Sequence, residues 1–235
     1  MFDAIKLANE TKNIVCKNLG RKYYRFRAAK FYGGIATADC VGCDLRCLFC
    51  WAWKEITNPK KYGRFYSPDE VVDKLLKIAN RHGINKLRIS GNEPTICKEH
   101  LIKVLELIPK DFLFILETNG ILIGYDEKYA KSLSSFDNLH VRVSIKAATS
   151  KDFSKITGAK EDIFYYQLKA LENLSKYNIS FHPSIMVSFS EKKDIEKLKR
   201  RVEKISNSRY LEYESVILYP PVEKRLKKAN LFPKY

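Results

Sequence analysis

The spacing of apolar residues along this chain switches repeatedly between two periods. Short runs alternate every second residue or are apolar throughout, and longer runs repeat every third or fourth. The short runs predict strands over residues 31–40, 87–90, 112–117, 138–145, 179–187 and 211–218. The longer ones predict helices over 99–107, 126–133, 151–156 and 162–176, and one after Ser190 carrying Ile195, Leu198, Val202 and Ile205. A further helix starts at a capping box: Ser67 is the N-cap, Pro68 takes the first position and Glu70 the third, and Val71, Val72, Leu75 and Leu76 give it a core face. A short helix over residues 2–12 opens the chain, and Gly33-Gly34 leads into the first strand. Strands alternating with helices imply parallel strands joined by right-handed helical crossovers. Six such units are too few to close an eight-stranded barrel. The expected fold is therefore α/β, a partial open (β/α)6 barrel of parallel strands with outer helices.

The polarity of two strands adds to this picture. In residues 141–146, Val141, Val143 and Ile145 take one face and Arg142, Ser144 and Lys146 the other; in 179–185 the polar face holds Ser180, His182 and Ser184. If the apolar faces pack under the helices, the polar faces line the lumen. An interior lined by Arg, Lys, Ser and His suits a polar ligand, although His182 is equally well read as a lumen histidine with satisfied hydrogen bonds and no catalytic part.

With 235 residues and 45% hydrophobic content, the chain is long enough for one domain with a large core. The expectation is a single domain over 1–235: a barrel core at about 33–218, an N-terminal extension over 1–32 and a basic C-terminal tail over 219–235. The longest uninterrupted apolar run, residues 48–53, is far below the roughly 18 residues of a membrane span. Asp3, Lys6, Glu10 and Lys12 interrupt any secretory signal, so a cytoplasmic protein is expected. The net charge is +16, and residues 21–27 interleave Arg21, Lys22, Arg25 and Arg27 with Tyr23, Tyr24 and Phe26. That composition fits phosphate backbones and stacked bases, so nucleic acid is a candidate partner; a solvated strand is the alternative.

Chemistry concentrates in one place: four of the six cysteines fall between positions 40 and 50. Cys40/Cys43 and Cys47/Cys50 form two C-x2-C pairs, as in a zinc knot, but the gap between them is far shorter than the roughly 12 to 20 residues of usual zinc modules. A bacterial ferredoxin cluster has a different gap and a Cys-Pro that is missing here. The third reading is C-x3-C-x2-C, with Cys43, Cys47 and Cys50 holding three irons of a 4Fe-4S cube. In this respect Gly42-Cys43-Asp44-Leu45-Arg46-Cys47 resembles the glycine-cysteine-asparagine-leucine-arginine-cysteine of the radical S-adenosylmethionine (radical SAM) superfamily.

That resemblance, which covers about residues 33–205, implies a fold of the same open-barrel kind and a 4Fe-4S cluster with three cysteine ligands. The fourth iron, left open, would take the amino and carboxylate groups of S-adenosyl-L-methionine. One electron would then yield methionine and a 5′-deoxyadenosyl radical. Ser90-Gly91-Asn92-Glu93-Pro94 resembles the family's glycine-glycine-glutamate-proline segment. On that likeness Gly91, Asn92 and Glu93 contact the methionine ammonium, with Asn92 standing where the family has Gly. Asn tolerates a left-handed backbone better than most residues. Thr118-Asn119-Gly120 resembles another family segment and brings in Asn119 beside Glu117, while Ser144 and Lys146 match positions that meet the ribose and the methionine carboxylate. Arg142 and His182 are weaker candidates.

Within the superfamily the chain resembles small activating enzymes of glycyl-radical enzymes, such as the pyruvate formate-lyase activating enzyme, in its cysteine spacing, its length, Ser144-Ile145-Lys146, Ile156-Thr157-Gly158 and the strand at residues 181–189. This implies an oxidoreductase with an electron donor such as flavodoxin or ferredoxin, acting on a glycyl residue of a partner polypeptide. The alternatives are a radical SAM enzyme that modifies RNA and a non-catalytic, metal-stabilised module that binds nucleic acid. Cys16, Cys40 and Cys97 are isolated in sequence and too few for a second four-ligand cube; Cys40 is expected to be a buried thiol, and residues 219–235 have no assigned role.

Overall fold

A computed structural model describes residues 1–206 and 210–234. Helix α1 (Ala4–Val15) begins at Asp3, whose Oδ1 accepts from the N–H groups of Ile5 and Lys6, and leads into the short β1 (Cys16–Lys17) and the long β2 (Gly20–Ala29). A 3-10 turn at Phe31–Gly33 precedes β3 (Ile35–Cys40), so the first barrel strand starts later than its apolar run suggested. Gly33 and Gly34 both have positive φ, which closes that turn and keeps the strand from starting earlier.

After the cysteine loop come α2 (Trp53–Thr57), β4 (Arg64–Tyr66) and α3 (Pro68–His82). The expected capping box is present at α3: the Glu70 N–H donates to Ser67 Oγ and the Ser67 N–H to Glu70 Oε2. Alternation follows with β5 (Lys86–Ser90), α4 (Lys98–Leu107), β6 (Leu113–Thr118), α5 (Ile121–Tyr125), α6 (Glu127–Leu133), β7 (Leu139–Ile145), α7 (Ser150–Thr157), α8 (Phe164–Lys176), β8 (Ser180–Met186), α9 (Lys192–Ser206) and β9 (Glu212–Glu214). Strands β3, β5, β6, β7, β8 and β9 are neighbours in that order, and all five pairings are parallel. These are the six expected units, arranged as an open barrel. On the far side of β3 the sheet continues antiparallel through β2, which pairs with both β1 and β4.

The core lies between this sheet and its helices. Val71, Leu75, Leu101, Val104, Leu168 and Leu171 bury one stripe of α3, α4 and α8 against Leu87, Ile89, Phe114, Leu116, Val141 and Val143. Fully burying each such side chain contributes about 1.5 to 3 kcal/mol, which is why helical and strand periods remain legible across the whole barrel.

Four local expectations are corrected. The basic stretch at residues 21–27 lies within β2, where Arg21 is 1% exposed and Lys22 is buried, so neither side chain is a free phosphate contact. The last strand covers only Glu212–Glu214, and a helix follows it: α10 (Pro220–Lys228) packs Val222 and Leu226 inward, followed by buried Leu231. Ser190 does not cap α9; its hydroxyl accepts from the Ala148 N–H and donates to Asp152 Oδ2, and the Glu191 carbonyl takes the first helical bonds. Cys16 and Cys97, distant in sequence, are joined in a disulfide that ties the end of α1 to the start of α4.

Candidate active site

A parallel barrel places the ends of its strands at one mouth, and here each of those ends delivers a loop to one cavity of about 940 Å³. Its walls include Cys43, Cys47 and Cys50 from the loop after β3, Gly91, Asn92 and Glu93 from the loop after β5, and Asn119 after β6. Ser144 and Lys146 come from the end of β7, Met186 from β8, and Glu212 and Glu214 from β9. Every candidate site residue from the sequence except His182 thus borders one space. No helix among the described residues is long and apolar enough to cross a membrane.

The cysteine loop is held by backbone contacts. The Arg46 N–H donates to the Thr157 carbonyl and the Leu48 N–H to the Ile156 carbonyl, fastening the loop to the end of α7, and the Cys50 N–H donates to the Cys47 carbonyl. Gly42, with φ +89°, leaves no room for a Cβ, which would stand 2.6 Å from Thr11 Cγ2. Burial pushes all three thiols up, Cys47 to about 12, so the free chain carries them protonated and binding of iron must displace protons. Cys40 lies apart, fully buried on β3 beside Arg21 and the Asn92 backbone. Among the described residues no group of three or more His, Cys, Asp or Glu stands so that it could hold a single metal ion.

Glu93 is 1% exposed and is not a solvated turn residue. Its Oε1 accepts from the Thr95 N–H (3.1 Å), the Thr95 hydroxyl (2.6 Å) and the Thr118 hydroxyl (2.6 Å), and its Oε2 from the Asn119 N–H (2.8 Å). Oε2 therefore keeps the larger share of free acceptor capacity. Asn119 also donates from Nδ2 to Asp44 Oδ1 at 2.6 Å, which links the cysteine loop to the Glu93 loop. Asp44, fully buried and pushed up to about 7 by burial and by Glu93, has no partner on Oδ2. The left-handed position expected at Asn92 falls instead on Gly91, with φ +99° and Asp39 against its Cα. Asn92 keeps an ordinary φ and presents a buried side-chain amide with both polar atoms unpartnered.

Below this level the lumen carries a ladder of ion pairs. Arg142 donates to Glu212 Oε2 (2.7 Å), Glu214 Oε1 (2.6 Å) and Ser184 Oγ (2.9 Å). Ser144 donates to Glu214 Oε2 and Lys146 Nζ to Ser144 Oγ. His182 meets Glu212 through Nε2 (3.2 Å) and His140 through Nδ1 (2.6 Å), a satisfied lumen histidine rather than a residue of the cavity wall. Burial alone would raise Glu117, yet Arg88 and Arg142 hold it below the usual carboxylate range; Arg88 stands 2.7 Å from it and the Tyr32 hydroxyl 2.8 Å. Arg25 and Arg27 both donate to Asp39 Oδ2.

The profile of the Radical SAM superfamily matches residues 39–207. The chain belongs to the radical SAM superfamily. Among curated relatives it is 37% identical over 117 residues to the probable GTP 3′,8-cyclase of Methanococcus maripaludis (strain C6 / ATCC BAA-1332), a match covering 49% of this chain and 37% of that protein. The chain thus spans little more than a third of the length of such relatives. Among solved structures it resembles Streptococcus suis SuiB bound to S-adenosylmethionine (TM-score 0.61, 19% identity, 81% of this chain and 44% of that one), a likeness of fold alone. It also resembles anSMEcpe with bound AdoMet and Cp18Cys peptide (TM-score 0.56, 26% identity, 75% and 48%). These relatives support the superfamily and do not single out the glycyl-radical activators that the sequence resembled. As a radical SAM enzyme the chain uses a 4Fe-4S cluster and S-adenosyl-L-methionine.

The chemistry of the lining fits these cofactors: three thiols, an orphaned Asn92 amide and the cation of Lys146 border one cavity, and Arg225 reaches its cysteine loop. Sequence reasoning missed Glu212, Glu214, Arg225 and Gln167. Gln167 had a signal, a polar residue on the buried face of α8 between Phe164, Leu168 and Leu171. Its Nε2 donates to the Asn119 and Ser144 carbonyls, and its Oε1 accepts from the Lys146 N–H.

Proposed function

We propose that Cys43, Cys47 and Cys50 hold three irons of the cluster, and that Gly91, Asn92, Glu93, Asn119, Ser144 and Lys146 bind S-adenosyl-L-methionine beside it. When bound, the reduced cluster supplies one electron to S-adenosyl-L-methionine, which splits into methionine and a 5′-deoxyadenosyl radical that takes a hydrogen atom from the substrate. The protein's own part is to orient and exclude water. Glu93 Oε2 has the free acceptor capacity to take the methionine ammonium, Lys146 is a cation suited to the methionine carboxylate, and Ser144 offers a hydroxyl to the ribose. The observation carrying this reading is that all nine residues border one cavity reached from the strand ends. Dithionite and S-adenosyl-L-methionine added to the anaerobically reconstituted protein should yield 5′-deoxyadenosine; a colourless protein that takes up zinc and makes none would overturn it.

For the substrate, the charge of the lumen favours a polypeptide segment over a nucleoside triphosphate. The wall cations Arg25, Arg27, Arg88, Arg142 and Lys146 are matched by Asp39, Glu93, Glu117, Glu212 and Glu214. A polyphosphate would have to break those pairs without gaining an excess of positive charge. The structural likeness to a peptide-bound enzyme at 26% identity agrees. The second reading, GTP, comes from the activity named for the curated relatives. Calorimetric titration of GTP into the reconstituted enzyme separates them: saturable binding with S-adenosyl-L-methionine present would favour GTP. A glycyl residue of a partner enzyme remains our finer proposal for the polypeptide, tested by radical transfer to such a partner.

A further inference from the structure

Helix α10 has no part in the assigned binding site, yet one of its side chains reaches the cysteine loop from more than 170 residues away in sequence. Arg225 Nε donates to the Leu48 carbonyl at 3.1 Å, and Nη2 donates to the Cys50 carbonyl. Its guanidinium lies over the ring of Trp53, 4.7 Å from the centroid. The planar fork thus closes on the last three residues of the C-x3-C-x2-C segment and on the first helix after it, a geometry that lysine does not reproduce.

The placement of Arg225 is fixed by packing. Val222 and Leu226, each 1% exposed, and Leu231, 7% exposed, anchor the helix on the barrel. Pro220 and Pro221 start the helix, where the missing N–H groups cost nothing. Arg225 itself is only partly buried, and its contacts to two carbonyls leave its charge facing Cys50.

We infer that Arg225 is a positioning residue for the cluster: it holds the Cys50 end of the loop in place, and its charge raises the cluster's reduction potential. The inference rests on reading Cys43, Cys47 and Cys50 as cluster ligands. Reduction adds one negative charge to the cube, and a fixed cation beside one ligand favours that state, since cluster potentials follow local charge and hydrogen bonding. The two roles separate by substitution. Arg225→Ala removes both the fork and the charge, whereas Arg225→Lys keeps the charge and loses the fork.

Two measurements test this. In the iron-free protein, amide exchange at Leu48 and Cys50, followed by mass spectrometry, should quicken in both variants, because neither holds the loop. In the anaerobically reconstituted protein, the midpoint potential from a redox titration followed by electron paramagnetic resonance should fall in Arg225→Ala and stay near the wild-type value in Arg225→Lys. A merely structural helix contact would not move the potential in this charge-dependent way. Unchanged exchange in Arg225→Ala overturns the clamp, and a loaded Arg225→Ala with an unchanged potential overturns the electrostatic role. If the wild-type protein itself takes up no cluster, the ligand reading has failed instead, and the exchange measurement still decides the clamp.

Discussion

Replacing Glu93 by alanine should unfold the protein more easily before any cofactor is added. The carboxylate satisfies two backbone N–H groups, those of Thr95 and Asn119, and two hydroxyls, those of Thr95 and Thr118, at a site with 1% exposure. The hydroxyls can turn to other acceptors, but the N–H groups cannot, and each buried unsatisfied donor costs about 1 to 3 kcal/mol. Two such donors cost about 2 to 6 kcal/mol, and relief from burying a charge offsets part of that, leaving a loss of about 2 to 4 kcal/mol. For a chain of this size each kcal/mol moves Tm by about 2 to 4 °C, so the melting temperature of the iron-free protein should drop by about 4 to 16 °C. Glu93→Gln should fall in between, because its amide must point N–H groups at the Asn119 N–H or at the Thr95 and Thr118 donors. Differential scanning calorimetry without iron or S-adenosyl-L-methionine gives the answer. A melt of Glu93→Ala within about 2 °C of wild type would refute the four-bond role. If Glu93→Gln stays folded, titrating it with S-adenosyl-L-methionine then asks about the ammonium separately.

Three further predictions concern other parts of the molecule. Cys43→Ala, Cys47→Ala and Cys50→Ala should each lose the cluster on reconstitution while Cys40→Ala keeps it, read as iron and sulfide per chain; iron loss in Cys40→Ala as well would favour a closed four-ligand site. His100, with Nδ1 donating to the Leu19 carbonyl and Nε2 accepting from the Tyr23 hydroxyl, is lowered to about 4 by burial. A depressed histidine contributes stability above its unfolded pKa of about 6.5 and loses it as pH falls toward 4, so urea unfolding should show about 2 kcal/mol lost at pH 5 that His100→Asn does not lose; parallel pH curves for the two proteins would refute it. Arg21→Ala should destabilise the fold, because Arg21 donates to the Val41 and Glu93 carbonyls, and Arg25→Ala with Arg27→Ala should also lower the melt, because together they leave the buried Asp39 carboxylate without a cation. If RNA binds at all, only the second pair should flatten its salt dependence, and an equal effect of Lys22→Ala, whose Nζ is spent on the Pro59 and Lys60 carbonyls, would contradict that assignment.

The alternation of periods made the barrel legible because each of its strands buries a face against helices, and that burial leaves its trace in sequence. The C-x3-C-x2-C spacing and the segments around Glu93, Asn119 and Lys146 were legible because they are local. What sequence did not show was non-local. Arg21 reads as a basic residue among aromatics, and only its pairing between Cys16 of β1 and Tyr66 of β4, with its bonds to the distant Val41 and Glu93 carbonyls, shows it to be buried. Cys16 and Cys97 read as isolated because 81 residues separate them. Glu212 and Glu214 lie on a strand that the sequence predicts, but their role depends on Arg142 two strands away, which the pattern of apolar residues does not show. No element is predicted for residues 121–125, yet they form α5, whose Gly124 packs directly on the backbone of Tyr166 in α8.

The hydrogen bonds around Asn119 explain how four separate loops hold one arrangement. Its N–H donates to Glu93 and its Nδ2 to Asp44, while its carbonyl accepts from Gln167, which in turn takes the Lys146 N–H and donates to the Ser144 carbonyl. The cysteine loop, the Glu93 loop and the ends of β6 and β7 are therefore joined in one buried circuit, with Asn119 and Gln167 as its joints. In a water-excluded site such a circuit fixes donors and acceptors before any ligand arrives, so binding need not order them. It also makes the loops interdependent: removing Gln167, to which no cofactor contact is assigned, frees the ends of two strands at once. The sheet alone would leave each loop to find its own position, and the catalytic geometry would depend on four independent equilibria rather than one.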